Sequence, residues 1–324
     1  MVLPLRGPGA AFGQQAGLGL VRWAEESGAR LTIIDCGDDT RRAAREARRL
    51  APAVDLFFGP YGSGLTRAVV DELADTPWVI WNHGGAEVPE RRARVVDVIG
   101  PASRYWDGLA DVLREDGVSR ERVLIAAGAS PFSTSVCASA VASLARASAT
   151  PLEVIAFDER TAEQIPELAR TLGAAAIVGC GRPGEDLALG RALVGSDLWV
   201  GLVVCGVRAA KATLGEAIAG WVGPAQWLAD AAGSSPLPAS SDYPAAQAYA
   251  AATLARRALD LAGARGPDAL WDAARAMRGE SIIGAFAVDD QGRQVAHRPL
   301  LVRWEGEPCE RRVAWLSREA PAGP

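Results

Sequence analysis

The sequence has few of the residues that build metal centres and disulfide frameworks. Its 324 residues include two histidines and five cysteines. Five is an odd number and no pair has the spacing of a CxxC motif, so we expect buried free thiols and no disulfide framework. With only His83 and His297 available, a histidine-rich metal site is not expected. We therefore expect neither a metal nor a cofactor.

The chain also lacks a basic excess and a long apolar run. Its net charge is −5 and its pI about 5.3, with no basic stripe or zinc-finger spacing, so we do not expect nucleic acid as a partner. No apolar run approaches the roughly 20 residues that span a bilayer. Val2-Leu3-Pro4-Leu5 is too short for the apolar region of a signal peptide and is interpreted as the first strand. Either an export signal is absent from this sequence or the chain is cytoplasmic.

Short apolar runs alternate with helical patterns along most of the chain. This alternation predicts an α/β fold with two Rossmann-like lobes, each a parallel sheet covered by helices. Two lobes also suit the length, since 324 residues are many for one core.

The central stretch Val54–Glu90 contains two glycine loops, each directly after a predicted buried strand. Gly59 to Gly64 follows the first strand, and the loop that begins at Asn82 follows the second. Such loops lie at the carboxyl ends of parallel strands, where open α/β sheets bind ligands. Ser63 lies near the start of the next helix, where free backbone N–H groups favour an anion such as a carboxylate. The alternative is that the glycines only make turns.

Several motifs in order along the chain resemble one known family. The opening Leu5-Arg6-Gly7-Pro8 is similar to the family's Ser-Gly-Pro-like loop. Phe58-Gly59-Pro60-Tyr61-Gly62-Ser63 is similar to its "IGP..S" loop. The second glycine loop matches the position of an "SPGAT" loop of that family. Gly220-Trp221-Val222-Gly223 resembles its "EGV" crossover strand. Gly284-Ala285-Phe286 resembles a "G…F…G" segment. The ordered set resembles the type I periplasmic binding proteins, specifically the branched-chain amino acid and amide receptors of ABC transporters.

The resemblance implies two discontinuous lobes, 1–101 plus 228–290 and 102–227 plus 291–324, joined by three crossovers near 100–103, 223–228 and 289–298. It also implies a ligand site shared by the two lobes, which close on a small polar molecule. The residues expected to contact the ligand are Tyr61, Ser63, Gly64, His83, Gly84, Gly85, Phe132, Arg182 and Cys205. Amino acid receptors of the family place an acid near residues 203–207, but this chain has VVCGV there. We therefore expect a carboxylate or amide with an apolar or aromatic body ahead of a branched-chain amino acid. Glu185 or Asp186 would restore the amino acid interpretation if its loop entered the cleft.

Each of these residues also has a simpler interpretation. Ser63 would serve equally as a helix N-cap, and His83 as an exposed loop residue. Phe132 would serve as a helix-start staple and Arg182 as a solvated charge. Cys205 would be a buried small hydrophobe.

The resemblance implies a receptor that delivers its ligand to an ABC permease outside the cytoplasm, and not an enzyme. Catalysis by acyl transfer requires a nucleophile with a base, and dinucleotide binding requires a GxGxxG motif that Gly59–Gly64 does not supply. A Rossmann-like enzyme is the distant alternative. A nearer one is a cytoplasmic amide-type sensor on the same fold, with a regulatory protein as its partner.

Overall fold

The computed structural model describes residues 1–84, 87–88, 92–229, 235–263, 266–306 and 310–316. The strands are β1 (Val2–Leu3), β2 (Ile34–Asp35), β3 (Phe57–Phe58), β4 (Val79–Asn82), β5 (Arg94–Asp97), β6 (Val123–Ala127), β7 (Glu153–Ala156), β8 (Ala176–Cys180), β9 (Trp199–Leu202), β10 (Val222–Ala225), β11 (Arg278–Ser281), β12 (Gly284–Ala287), β13 (Leu300–Glu305) and β14 (Glu310–Leu316). The α-helices are α1 (Ala10–Ser27), α2 (Thr40–Leu50), α3 (Ser63–Glu72), α4 (Leu109–Glu115), α5 (Pro131–Arg146), α6 (Ile165–Leu172), α7 (Pro183–Leu193), α8 (Ala209–Leu214), α9 (Tyr243–Ala262) and α10 (Pro267–Ala276). Among these residues, no helix combines the length and apolar character needed to cross a membrane.

The chain divides into two compact units. The first unit contains Met1–Pro101 and Ala229–Arg298, and the second contains Ala102–Leu228 and Pro299–Arg318. The sequence places the last boundary after residue 290, whereas the structure keeps 291–298 with the first unit. The reason is a set of hydrogen bonds: the Asp97 amide donates to the Gly292 carbonyl at 2.8 Å, and Gln294 Nε2 donates to the Val98 carbonyl at 3.0 Å.

The first unit contains short parallel strands and a hairpin. β1 pairs with β2, and β3, β4 and β5 form a second parallel set, while β11 and β12 pair antiparallel. The apolar faces of α2 and α3 pack on these strands, with Ala43, Ala47 and Val69 fully buried. β1, β3 and β4 are buried because helices cover them, which explains why they lie in short continuous apolar runs in the sequence.

Two helices of the first unit approach each other unusually closely. At Gly19 of α1, an added Cβ would lie 2.0 Å from the Ala245 carbonyl oxygen near the start of α9. Only a glycine leaves room for a carbonyl at that distance, so the two helices contact each other backbone to backbone. Alanines line the facing side of α9, including Ala245, Ala248 and Ala252, all fully buried.

The second unit is built on a seven-stranded sheet of order β14-β13-β10-β9-β8-β6-β7. The strands from β6 to β10 are parallel, as predicted, and β13 and β14 extend the sheet antiparallel at one edge. The sequence predicts two closing strands, 299–304 and 312–316, within the second lobe, and the structure adds that they join this sheet. Ile125, Val178 and Trp106 lie in its fully buried core.

Candidate functional site

The first glycine loop of the first unit presents the start of a helix. Gly62 is the N-cap of α3 at φ 108° and ψ 135°, a conformation that L side chains rarely adopt. The Thr66 amide donates the first intrahelical bond to the Gly62 carbonyl at 2.9 Å, and Thr66 Oγ1 fixes the loop by donating to the Pro60 carbonyl at 3.1 Å. The amides of Ser63 and Gly64 precede that first bond, so they can bind an anion.

Ser63 does not cap its helix, so the interpretation of it as an N-cap is wrong. It is the first helical residue, and the cap position is taken by Gly62 without a side-chain hydrogen bond. The Ser63 side chain is half-buried, and its hydroxyl has no hydrogen-bond partner among the described residues. A hydroxyl in that position can donate to a ligand beside the helix N-terminus.

The second glycine loop lies against the first. A Cβ added at Gly84 would lie 3.2 Å from the Gly62 amide nitrogen and 3.3 Å from Tyr61 Cα. The Gly84 amide donates to Asn82 Oδ1 at 3.3 Å, which fixes the loop as it leaves β4. Gly85, which the sequence also assigns to the site, lies outside the described residues. The two loops therefore form one surface at the carboxyl ends of β3 and β4.

His83 in the second glycine loop is hydrogen-bonded to the first glycine loop. The ring is fully buried, and Nε2 donates to the Gly59 carbonyl at 3.0 Å, which assigns the proton of the neutral ring to Nε2. Burial lowers the pKa of His83 to about 4, so the ring is neutral at physiological pH. The expectation of an exposed loop residue is wrong. The Nε2 proton of His83 is donated to the Gly59 carbonyl, so it is not available to a ligand as the expectation of a pocket donor requires.

An aromatic cluster borders the anion site. The Phe12 ring stacks on the Tyr61 ring with centroids 5.4 Å apart, and the His83 ring follows at 5.8 Å. The Tyr61 hydroxyl donates to Gln247 Oε1 at 3.2 Å, while Gln247 Nε2 is buried without a partner among the described residues. Phe12 and Tyr61 are each partly exposed. Sequence reasoning missed Phe12 and Gln247. Phe12 lies beside the opening motif, whereas Gln247 lies far along the chain on α9.

In the second unit, the expected site residues follow neighbouring strands at one edge of the sheet. Phe132 lies in the first turn of α5 after β6, Arg182 follows β8, and Cys205 follows β9. Phe132 is partly buried and meets Tyr105 edge to face with centroids 5.9 Å apart. Its position as the second residue of α5 is too late for the staple, which precedes the N-cap.

Arg182 is tied to its own helix. It is the N-cap of α7, and its Nη2 and Nε donate to Glu185 Oε1 at 2.8 and 3.1 Å. The Glu185 side chain is 5% exposed and that of Arg182 is 63% exposed. The guanidinium therefore neutralises a buried carboxylate while its outer face stays in solvent. An anion clamp at Arg182 would have to use that outer face.

Asp186 holds two loops of the second unit together. Its Oδ1 accepts from the Gly181 amide at 2.8 Å, and its Oδ2 accepts from the Val204 amide at 3.1 Å. The side chain is fully buried, and desolvation raises its pKa to about 7 against the opposing effect of these amides. Both carboxylates that would restore an amino acid ligand, Glu185 and Asp186, are thus committed to hydrogen bonds within this unit.

Cys205 is packed within the second unit, as expected of a buried small hydrophobe. The residue is fully buried, and a Cβ added at Gly223 of β10 would lie 2.7 Å from Cys205 Cβ. Its carbonyl accepts from Trp304 Nε1 at 2.9 Å. Burial raises the pKa of its thiol far above the ordinary value, so it stays protonated.

Among the described residues, no group of three or more His, Cys, Asp or Glu side chains is placed to hold a metal ion. The first unit instead offers a helix N-terminus, a free hydroxyl and a stacked aromatic pair. This set can bind a small molecule that has one anionic end and one flat apolar side.

A family model described as periplasmic binding protein matches residues 1–308. The chain therefore belongs to the periplasmic binding proteins, as the motifs predict. A search of curated proteins finds no match.

Solved structures of ABC transporter binding proteins share the fold. One is a solute-binding protein of Rhodopseudomonas palustris BisB5 in complex with 3,4-dihydroxybenzoic acid, with TM-score 0.85, 15% identity, and 100% and 97% of the two chains covered. A second is a solute-binding protein of R. palustris in complex with benzoate, with TM-score 0.81, 15% identity, and 99% and 97% covered. A third is the leucine-binding protein LivK of Thermotoga maritima, with TM-score 0.82, 17% identity, and 96% of each chain covered. These likenesses confirm the predicted α/β fold of the type I periplasmic binding proteins.

Proposed function

We propose that the chain is the extracytoplasmic receptor of an ABC transporter and that it closes on a small aromatic carboxylate for delivery to a permease. The observation that carries this proposal is the arrangement in the first unit. The free hydroxyl of Ser63 and the amides of Ser63 and Gly64 follow Tyr61 in the same loop, and the Tyr61 ring stacks on the Phe12 ring. An anion and an aromatic ring are thus recognised side by side.

The choice of an aromatic acid over an amino acid rests on charge. A zwitterion needs a partner for its ammonium, and a buried unpaired ammonium costs several kcal/mol. In the second unit, Glu185 is paired with Arg182, and Asp186 is used by the Gly181 and Val204 amides. Two of the similar structures hold benzoate and 3,4-dihydroxybenzoic acid, which supports the same class of ligand.

A thermal-shift screen tests the ligand class. We expect benzoate and hydroxybenzoates to raise the melting temperature, with benzamide weaker and leucine or valine without effect. A ligand at about a hundredfold its Kd adds about 2.7 kcal/mol to the free energy of unfolding, which such a screen detects readily. A strong shift with leucine and none with aromatic acids would exclude the proposed ligand. Small-angle scattering at saturation then tests closure, which should reduce the radius of gyration.

Ser63→Ala is expected to weaken aromatic acid binding by about 1–3 kcal/mol, through one lost charge-assisted hydrogen bond. The free energy of unfolding without ligand should hardly change, since the hydroxyl has no partner among the described residues. Calorimetric titration gives the affinity, and urea unfolding of the unliganded variant serves as the control. An unaltered affinity would remove Ser63 from the site.

A second candidate is an amide-type sensor on the same fold, acting in the cytoplasm on a regulatory protein. The free thiols of Cys36, Cys137, Cys180 and Cys205 favour it, since unpaired cysteines are typical of reducing compartments. Permease and ATPase genes beside this gene would support uptake, and a regulator gene would support sensing. Both candidates are binders, so steady turnover of a bound ligand by the purified protein would contradict both.

A further inference from the structure

Helix α2 concentrates positive charge within the first unit. Its 11 residues include five arginines and one glutamate, a formal charge of +4, in a chain whose net charge is −5. The rest of the chain therefore carries a formal charge of −9. A strongly basic segment thus lies in an otherwise acidic protein.

The helix period separates the basic side of α2 from its apolar side. Ala43, Ala47 and Leu50 lie on one side and are buried in the core of the first unit. On the opposite side, four arginines fall within about 100° of arc and span about 12 Å along the axis. All four are exposed, and we call them the arginine face: Arg41, Arg45, Arg48 and Arg49.

Nearby carboxylates pair with two members of the arginine face. Arg48 Nη1 lies 3.3 Å from Glu72 Oε1 at the end of α3, and Arg49 Nε lies 2.9 Å from Glu46 Oε2. The Arg48 side chain stays 67% exposed and that of Arg49 60% exposed. Exposed pairs of this kind are weak, so both guanidinium groups still face solvent and can exchange partners.

The other two members, Arg41 and Arg45, have no ion pair among the described residues. One more acid lies at this end of the helix, Asp39, and its Oδ1 caps α2 by accepting from the Arg42 amide at 3.0 Å. Two exposed guanidinium groups one helical turn apart are therefore available to external anions. Their planar forks match the oxygens of a phosphate.

The surroundings of the arginine face restrict its partner. It borders an open groove between α2 and α3, lined by Arg41, Ala44, Arg45, Arg48, Arg49 and Glu72. Ala44 is the one uncharged residue of this lining, whereas a protein interface buries an apolar centre. Because the apolar side of α2 is already in the core, the helix cannot insert into a hydrocarbon layer. Charge is the attraction that this face offers.

We propose that the arginine face adsorbs the first unit to a bilayer that contains anionic phospholipids. Clusters of roughly four to eight basic residues on an amphipathic helix are typical of segments that bind such lipids. An array of headgroups gives each exposed guanidinium group a phosphate, while the acidic remainder of the chain is repelled. The proposed receptor role enters only in that delivery to a permease takes place beside a membrane.

Vesicle flotation of the purified protein tests this adsorption. Vesicles of equal parts phosphatidylglycerol and phosphatidylcholine should bind the protein at about 0.01 M salt, and vesicles of phosphatidylcholine alone should not. Binding should vanish at about 1 M salt, because the screening length falls from about 30 Å to about 3 Å. Arg41→Gln combined with Arg45→Gln should lower the partition coefficient about 25-fold, about fivefold for each arginine. Glutamine keeps the helix propensity of arginine, so α2 should stay folded.

Arg160→Gln combined with Arg191→Gln is the matched control. It removes the same two charges from exposed positions of the second unit and should bind vesicles like the unaltered protein. Equal losses in the two double variants would overturn the proposal, since net charge and not the arginine face would then govern binding.

Absence of vesicle binding at low salt would also overturn it. If Arg41→Gln with Arg45→Gln then weakened binding of polyglutamate, the face would fit an acidic protein segment instead. Calorimetric titration separates adsorption from the proposed ligand class. The same double variant should bind an aromatic acid as the unaltered protein does, so a failure of ligand binding and a failure of vesicle binding are distinct results.

Discussion

Gly19→Ala is expected to lower the free energy of unfolding by about 3 kcal/mol, near the top of the range for overpacked cores. The new methyl group would lie 2.0 Å from the Ala245 carbonyl oxygen and 2.8 Å from its carbon. Both atoms are backbone at the start of α9, so no side-chain rotation relieves the contact. The helices α1 and α9 would have to separate, which would open the alanine-lined contact between them.

Gly17→Ala is the matched control on the same helix. There the nearest atom to an added Cβ is Leu3 Cδ1 at 3.5 Å, an ordinary van der Waals distance. The control should be neutral or stabilising by up to about 1 kcal/mol, because alanine is the better helix former. Urea unfolding of both variants at one pH makes the comparison. Equal stability of the two would show that α1 and α9 are not in backbone contact at Gly19.

Asp186→Asn is expected to change how stability depends on pH. The pKa of Asp186 is about 7 in the folded protein and that of an unfolded aspartate about 3.9. Between these values the folded state holds more protons, so the free energy of unfolding falls as pH rises from about 4 to 7. The asparagine variant lacks this titration. Since an amide offers one acceptor oxygen, one of the Gly181 and Val204 amides also loses its partner.

The variant should therefore be less stable by about 2 kcal/mol at pH 5, through the lost buried hydrogen bond. The difference should shrink as pH rises from about 4 to 7 and level off above 7, where the wild type carries a buried charge. Urea unfolding across that pH range measures it. The titration of His83 has the opposite effect: its folded pKa of about 4 makes the free energy of unfolding rise with pH up to about 6.5. This contribution is common to the wild type and the Asp186→Asn variant, so it cancels in the difference between them. Glu185→Gln is the control, and a pH-independent difference for Asp186→Asn would refute the titration.

The sequence predicts best the helices whose ends are marked by capping residues, prolines or glycines. The sequence predicts a long helix over Tyr243–Ala262, and α9 has these bounds, with Pro244 in its first turn and Gly263 following it in the left-handed conformation. The sequence predicts a helix over Ser135–Ala147, but α5 begins four residues earlier, since Ser130 caps it and Pro131 is its first residue. In both helices, local residues fix the ends.

The candidate site was predictable only where one stretch of sequence builds it. The glycine loops around Ser63 and Gly84 are local and their placement after strands follows from the pattern. Whether a side chain in such a loop is buried depends on distant residues, so the pattern could not show that His83 is enclosed. The contact of Tyr61 with Gln247 joins residues 186 positions apart, which no local pattern contains.

The division of the chain has a consequence for biosynthesis. The sheet of the second unit includes β13, which pairs with β10 only after the intervening residues 229–298 have been made. The first unit likewise cannot be completed until α9 has been made, because the α9 backbone packs against α1. A growing chain on the ribosome therefore exposes incomplete faces of both units until the last strands emerge. Such interleaved order slows folding and favours chaperone contact, and a fragment that stops near residue 228 should accumulate as insoluble protein.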